Sequence, residues 1–229
     1  MADSTRLFSE IRIDKLRQLF GTSDGTDMRF VCGGMTKDVH SFVLQLGSKV
    51  LGTMCTGAFQ EGLNGRIELK DHEPHLAYRM LQHLYMVDYS AGEIEIDGMK
   101  EESFVSELHT HVMMYAMADE YDVRDLKKEA LWKFGQELMT KARQTEALAT
   151  VLEVVPAIYA TTPESDRRLR DLVVLFGALY LMRIKDLPEL GTAITHSPDY
   201  IIEVLQKFEQ ITVKSGKTVI GGVCYSADY

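Results

Sequence analysis

Apolar residues recur along this chain at two spacings, and each change of spacing marks a new element. Near the start, Ile13, Leu16 and Phe20 share one helical face, in a stretch that also holds Leu7, Phe8, Ile11 and Leu19. The turn-rich "GTSDGTD" ends it. The spacing then drops to two. Met28, Phe30 and Cys32 alternate with Arg29 and Val31, and "GG" at 33–34 supplies residues that accept positive φ, so "MRFVCGGMTKDVH" (28–40) reads as a hairpin. "SFVLQLGSKVLGTMCTG" reads as two short helices divided near Gly47-Ser48, with the Ser48 hydroxyl placed to cap the second. In "GRIELKD", Ile67 and Leu69 face one way and Arg66, Glu68 and Lys70 the other, as in a strand.

The helical period returns after Pro74, a residue suited to a helix's first turn, with Ala77, Met80, Leu81 and Leu84 as its stripe. Ile94 and Ile96 alternate with acids as in a short edge strand. Val105, Leu108, Val112 and Ala116 mark the next helix, and Leu126, Ala130, Leu131, Phe134 and Leu138 another. Beyond about residue 140 the pattern is helical: a stripe at Leu148, Val151, Leu152 and Val155 cut short by Pro156, then helices expected to start at "TPES" (162–165) and "SPDY" (197–200). The tail "KSGKTVIGGVCYSADY" is turn-rich, with room for a short strand.

Composition narrows the function classes. The 229 residues are 45% hydrophobic, enough for a sizeable core, and carry a formal charge of −9, against a surface that tracks phosphates. No uninterrupted apolar run is long enough to span a bilayer, and "MADSTRLFSE" has no signal-peptide core. Cys32, Cys55 and Cys224 are odd in number and far apart, which fits a reducing compartment; the expected location is intracellular, cytoplasmic or nuclear.

Candidate chemistry is sparse. His72 and His75 lie three apart with Glu73 beside them, a basis for a metal-dependent hydrolase, but no HExxH or CxxC motif completes a ligand set. Arg167, Arg168 and Arg170 sit among acids, as on a salt-bridged exposed helix face. Met80, Met113, Met114 and Met117 fall on core helices. No GxSxG motif or Cys-His dyad appears, so no enzyme activity and no cofactor are expected.

Several motifs in order resemble the BTB/POZ family over residues 26–135: "DMRFVCGG", "VHSFVLQLGSKVLGTMCTGAF", "GRIELKD", "LQHLYMVDY" and "YAMADEYDVRDLKKEALWKF". The "LYMVDY" form is most similar to fungal BTB proteins. The resemblance implies an α+β fold, a small sheet flanked by a helical cluster, followed by an all-α C-terminal region. It divides the chain into an N-terminal helical segment at 1–25, a BTB/POZ domain at 26–139, and a helical extension with a turn-rich tail at 140–229. It also implies structural roles for Asp27, His40, Ser48, Asp71, Tyr85, Asp119 and Tyr121, with His40 joining strand to helix.

In function, the resemblance implies a protein–protein interaction scaffold or adaptor that forms homodimers. Leu7, Phe8, Ile11, Leu16, Leu19 and Phe20 are the expected interface, an apolar stripe that would otherwise stay wet. Many relatives present substrates to a cullin-type ubiquitin ligase through a hydrophobic-x-acidic motif upstream of the Ala118-Asp119 stretch. The position expected for it holds Thr110-His111-Val112; the matching chemistry lies earlier, at Val105-Ser106-Glu107, so Val105 and Glu107 are the candidate cullin contacts. A transcription- or chromatin-linked scaffold acting through partner proteins is the alternative. Neither reading needs direct contact with nucleic acid or membrane.

Overall fold

The computed structural model describes residues 14–56, 60–144, 147–214, 217–220 and 223–226. The chain divides into two compact units, Met1–Lys133 and Phe134–Tyr229. Among the described residues no helix is long and apolar enough to cross a membrane.

The first unit opens with the described part of its first helix (α1, residues 14–19). Strands β1 (Met28–Cys32) and β2 (Met35–Val39) form the expected hairpin, with Cys32 opposite Met35 across a two-residue Gly33-Gly34 turn. Gly33 has φ +54°, and a Cβ there would meet Pro74 Cγ at 2.9 Å, so both backbone and space call for glycine. Strand β3 (Arg66–Leu69) adds parallel to β1 on its other side, giving the order β2-β1-β3. A parallel pair needs a long crossover. Here it carries three short helices, α2 (Ser41–Gly47), α3 (Lys49–Met54) and α4 (Gln60–Asn64). Phe30, Met35 and Ile67 are core residues. Val31, expected to face outward, is buried as well, because the central strand is covered on both faces.

Helix α5 (Pro74–Met86) has its proline in the first turn and buries the expected stripe of Ala77, Met80, Leu81 and Leu84. It also buries His75, Arg79 and His83, which recur every four residues on the opposite side. The irregular chain after α5 accounts for this. Arg79 donates through Nε to Ser90 O at 2.8 Å and through Nη2 to Gly92 O at 2.6 Å, and forms a two-pronged ion pair with Glu101 at 2.5 and 2.7 Å. The loop and its miniature hairpin, β4 (Glu95–Ile96) with β5 (Met99–Lys100), are thereby fastened to α5. Helix α6 (Glu107–Glu120) starts behind Ser106, whose hydroxyl accepts from His109 N–H at 3.2 Å. Val105, expected within this helix, lies just ahead of it and is exposed.

Helix α7 (Arg124–Ala142) contains the division between the units. The second unit continues with α8 (Leu148–Glu153), α9 (Val155–Thr161), α10 (Arg168–Ile184), α11 (Pro188–His196) and α12 (Pro198–Lys214). The tail forms a hairpin of β6 (Lys217–Ile220) and β7 (Val223–Ser226). Two expectations are corrected here. "TPES" is not a helix start: Thr162 is the C-cap of α9, its hydroxyl donating back to Ile158 O at 2.6 Å, and α10 begins only at Arg168. Pro156 does not end a helix; it sits in the first turn of α9.

Candidate interaction surface

His40 sits at the junction of β2 and α2, buried. Its Nε2 lies 3.0 Å from Asp24 O and its Nδ1 3.0 Å from the Tyr85 hydroxyl. A carbonyl can only accept, so Nε2 carries a proton and donates. The Tyr85 hydroxyl accepts from His40 N–H at 2.9 Å and can donate to Nδ1. The residue thus ties a loop, a strand end and α5 together, with no nucleophile or metal ligand in contact. His40→Ala would remove the acceptor for the Tyr85 O–H and the donor to the Asp24 carbonyl, and is expected to cost about 2 kcal/mol in urea unfolding. A cost below about 0.5 kcal/mol would remove the structural role.

The neighbouring positions work in the same way. Asp27 caps α2 in place of His40: its carboxylate accepts from Ser41 N–H at 2.7 Å and Ser41 Oγ at 2.6 Å. Burial works to raise its pKa, but these hydrogen bonds prevail and hold it below the usual value. Ser48 caps α3 by accepting from Leu51 N–H at 2.9 Å and donates to Tyr121 O at 2.6 Å, tying α3 to the end of α6. Tyr121 is buried with its ring edge-on to His72, and Asp119 pairs with Lys127 at 2.5 Å on the surface. Asp71 is exposed beyond the end of β3.

The two histidines proposed as ligands diverge. His72 Nε2 is 3.2 Å from Glu120 Oε1, while His75 Nε2 is 3.1 Å from Met99 O. Among the described residues no three His, Cys, Asp or Glu side chains gather as a metal site requires. Burial pushes the thiols of Cys32 and Cys55 up to about 11, which keeps them protonated and poorly nucleophilic at neutral pH.

Leu7, Phe8 and Ile11 lie outside the described residues. Leu16, Leu19 and Phe20 are half-buried. Phe20 packs against Tyr85 at 5.3 Å and Tyr78 at 5.6 Å between ring centres, so part of the expected stripe rests on the unit's own α5. Leu19 and Phe20 also line a cleft of about 260 Å³ beside β2. Val105 and Glu107 are exposed, whereas Thr110, His111 and Val112 are buried. His111 Nδ1 is 2.6 Å from the Tyr89 hydroxyl, and burial pushes its pKa down to about 4.

A larger open cleft, about 510 Å³, lies where the α2–α3 junction, the end of α5 and the α6–α7 turn meet. Leu46 on one wall is 80% exposed and Val87 on another 51%. Lys49, Arg124, Asp122 and Asp125 place charges around them. His83 lines the cleft with a buried Nδ1 that has no hydrogen-bond partner among the described residues. Burial pushes its pKa down to about 4 against the pull of Asp125 and Asp88, so the ring is neutral at neutral pH.

The backbone of this cleft is strained. Val87, the C-cap of α5, has φ +58°, and Asp122 has φ +48°. A β-branched residue in the left-handed region is a true outlier, and each such residue costs on the order of 1–3 kcal/mol. Sequence reasoning missed this site because Leu46 and Val87 read as ordinary members of apolar runs.

The family model described as the BTB/POZ domain matches residues 16–131. No curated protein matches the chain. The ordered hairpin, the parallel third strand, the helical crossover and the His40 junction lie within that match, and the chain belongs to the BTB/POZ domain family.

Proposed function

We propose that this chain is an adaptor that joins copies of itself through its N-terminal region and docks a second protein in the cleft lined by Leu46, His83 and Val87. BTB/POZ domains are protein-interaction modules, which sets the class. The observation that carries the docking reading is the coincidence, in one cleft, of two exposed apolar side chains, an unpaired buried imidazole nitrogen and two left-handed non-glycine residues. Such strain collects at binding sites, and an apolar centre ringed by charge is the usual anatomy of a protein interface. A helix laid across the cleft would cover Leu46 and Val87.

The partner we propose is a cullin-type ligase scaffold, with Val105 and Glu107 as further exposed contacts. Leu46→Glu places a charge at the centre of this surface without touching the core. It is expected to weaken binding of purified cullin by about tenfold or more while the melting temperature stays put. If wild-type protein forms no complex with cullin at micromolar concentrations, the cullin assignment fails. If Leu46→Glu binds as well as wild type, the cleft is not the docking site.

A further inference from the structure

Helix α10 is apolar almost all round, yet the second unit covers only part of it. Val173, Phe176, Gly177 and Ile184 are buried. At Gly177 the helix meets α12 so closely that a Cβ would fall 2.6 Å from the Tyr200 hydroxyl and 2.7 Å from Val204 Cγ2. The opposite face holds Leu172, half-buried, and Leu175, Leu179 and Met182, the last two 59% and 55% exposed. Together with Arg168 before them and Asp186 after, these residues are spaced 4-3-4-3-4, the seam of two packed helices. Lys185 keeps helical backbone angles at the C-cap, which carries Asp186 onto the same face.

We propose that two copies of this chain pair through α10, antiparallel, about a twofold axis at the level of Gly177. In that register Leu175 meets Leu179 of the second copy and Leu172 meets its Met182. The end charges fall into place at the same time: Arg168 of each copy lies opposite Asp186 of the other. Every pair occurs twice, as a twofold interface requires. A parallel arrangement would set Arg168 against Arg168 and Asp186 against Asp186, so the charge pattern selects the antiparallel one.

The existing partners of these charges do not oppose the pairing. Asp186 contacts Lys185 at 2.6 Å as an exposed surface pair that is worth little and can share a second cation, and Arg168 is exposed. A 17-residue helix is about 25 Å long, so this contact is small and its association concentration-dependent. It uses no residue of the N-terminal region. Where both contacts operate, a chain with two twofold interfaces links into assemblies larger than a dimer.

The test is sedimentation velocity on the full chain over a concentration series. Wild-type protein is expected to gain mass with concentration. Leu175→Glu with Leu179→Glu should abolish the α10-dependent part of that rise. Arg168→Asp alone, or Asp186→Arg alone, sets like charges against each other at two symmetric places and should weaken association about tenfold. The double reversal Arg168→Asp, Asp186→Arg restores opposite charges and should recover association to within about threefold of wild type. That recovery cannot arise from folding, since the double variant keeps both single changes. The pairing is overturned if wild-type mass does not rise with concentration, if the apolar or single-reversal variants track wild type, or if the double reversal is no better than the singles.

Discussion

Replacing Glu101 with glutamine is expected to cost about 3 kcal/mol of stability at neutral pH. The Arg79 side chain is fully buried and Glu101 nearly so, and the two share a double ion pair. Glutamine keeps the shape of the carboxylate and one acceptor but removes the charge. Arg79 is then left buried with three neutral acceptors, the Ser90 and Gly92 carbonyls and the glutamine oxygen, and no counter-charge. Breaking one side of a buried pair is far costlier than replacing both, because the survivor still bears its full desolvation penalty. Urea unfolding measures the difference, and a midpoint shift worth less than about 0.5 kcal/mol would discard the clamp as a source of stability.

The same substitution carries a pH signature. Burial works to raise the Glu101 pKa, but the hydrogen bonds and charge of Arg79, with the Ile94 N–H, prevail and hold it below the ordinary 4.5. A carboxylate with a depressed folded pKa contributes stability that is present above its unfolded pKa and lost as pH falls through the folded one. The gap between wild type and Glu101→Gln should therefore be full above pH 4.5 and close as acid protonates Glu101 in the folded chain. Comparing the two proteins at each pH cancels the buried histidines. His83 and His111, held down to about 4, also withdraw stability on acidification, as the unfolded chain takes up their protons first. A gap that widened in acid would reverse the assigned sign.

Arg79 also shows where the sequence stops being informative. The α5 stripe at Ala77, Met80, Leu81 and Leu84 announces one buried face, and on that reading Arg79 points to water. It is buried because a loop with almost no periodicity of its own returns over it, and the carbonyls that receive it belong to Ser90 and Gly92. Local pattern reports which face of a helix seeks a core. It does not report which irregular segment will cover the other face.

Where the determinants are local, the reading was good. The Gly33-Gly34 turn, the Ser48 cap, the alternation in β3 and Pro74 in the first turn of α5 each follow from a few adjacent residues. His40 was legible as a strand-to-helix residue, whereas its two partners, Asp24 and Tyr85, come from 16 and 45 residues away. The cleft proposed for docking is harder still. Its walls come from three separate parts of the chain, and its clearest mark, the left-handed backbone at Val87, is a conformation that valine disfavours and no propensity would assign.

Arg170→Leu is expected to destabilise the second unit by about 3 kcal/mol. The cluster of Arg167, Arg168 and Arg170 reads as a solvated face, and for Arg167 and Arg168 that holds in part. Arg167 forms a two-pronged pair with Glu203 at 2.8 and 2.7 Å, and Arg168 is exposed. Arg170, in contrast, is buried. Its guanidinium donates to Tyr159 O at 3.2 Å, to Thr162 O and to Thr162 Oγ1 at 3.0 Å, and lies 4.5 Å over the Tyr159 ring. Those carbonyls close the C-terminal end of α9, where the last turn has no helical donors. Arg170 therefore caps α9 from α10, with a cation at the negative end of the helix dipole. Leucine fills the volume but leaves two carbonyls and a hydroxyl without their donor. Arg170→Lys keeps the charge and loses the fork, so its cost should fall between wild type and leucine. Hydrogen exchange separates this local role from general loosening: protection should fall first at residues 155–162 and far less at 28–39. If the leucine variant keeps protection across α9, or if lysine proves as damaging as leucine, Arg170 is not the cap.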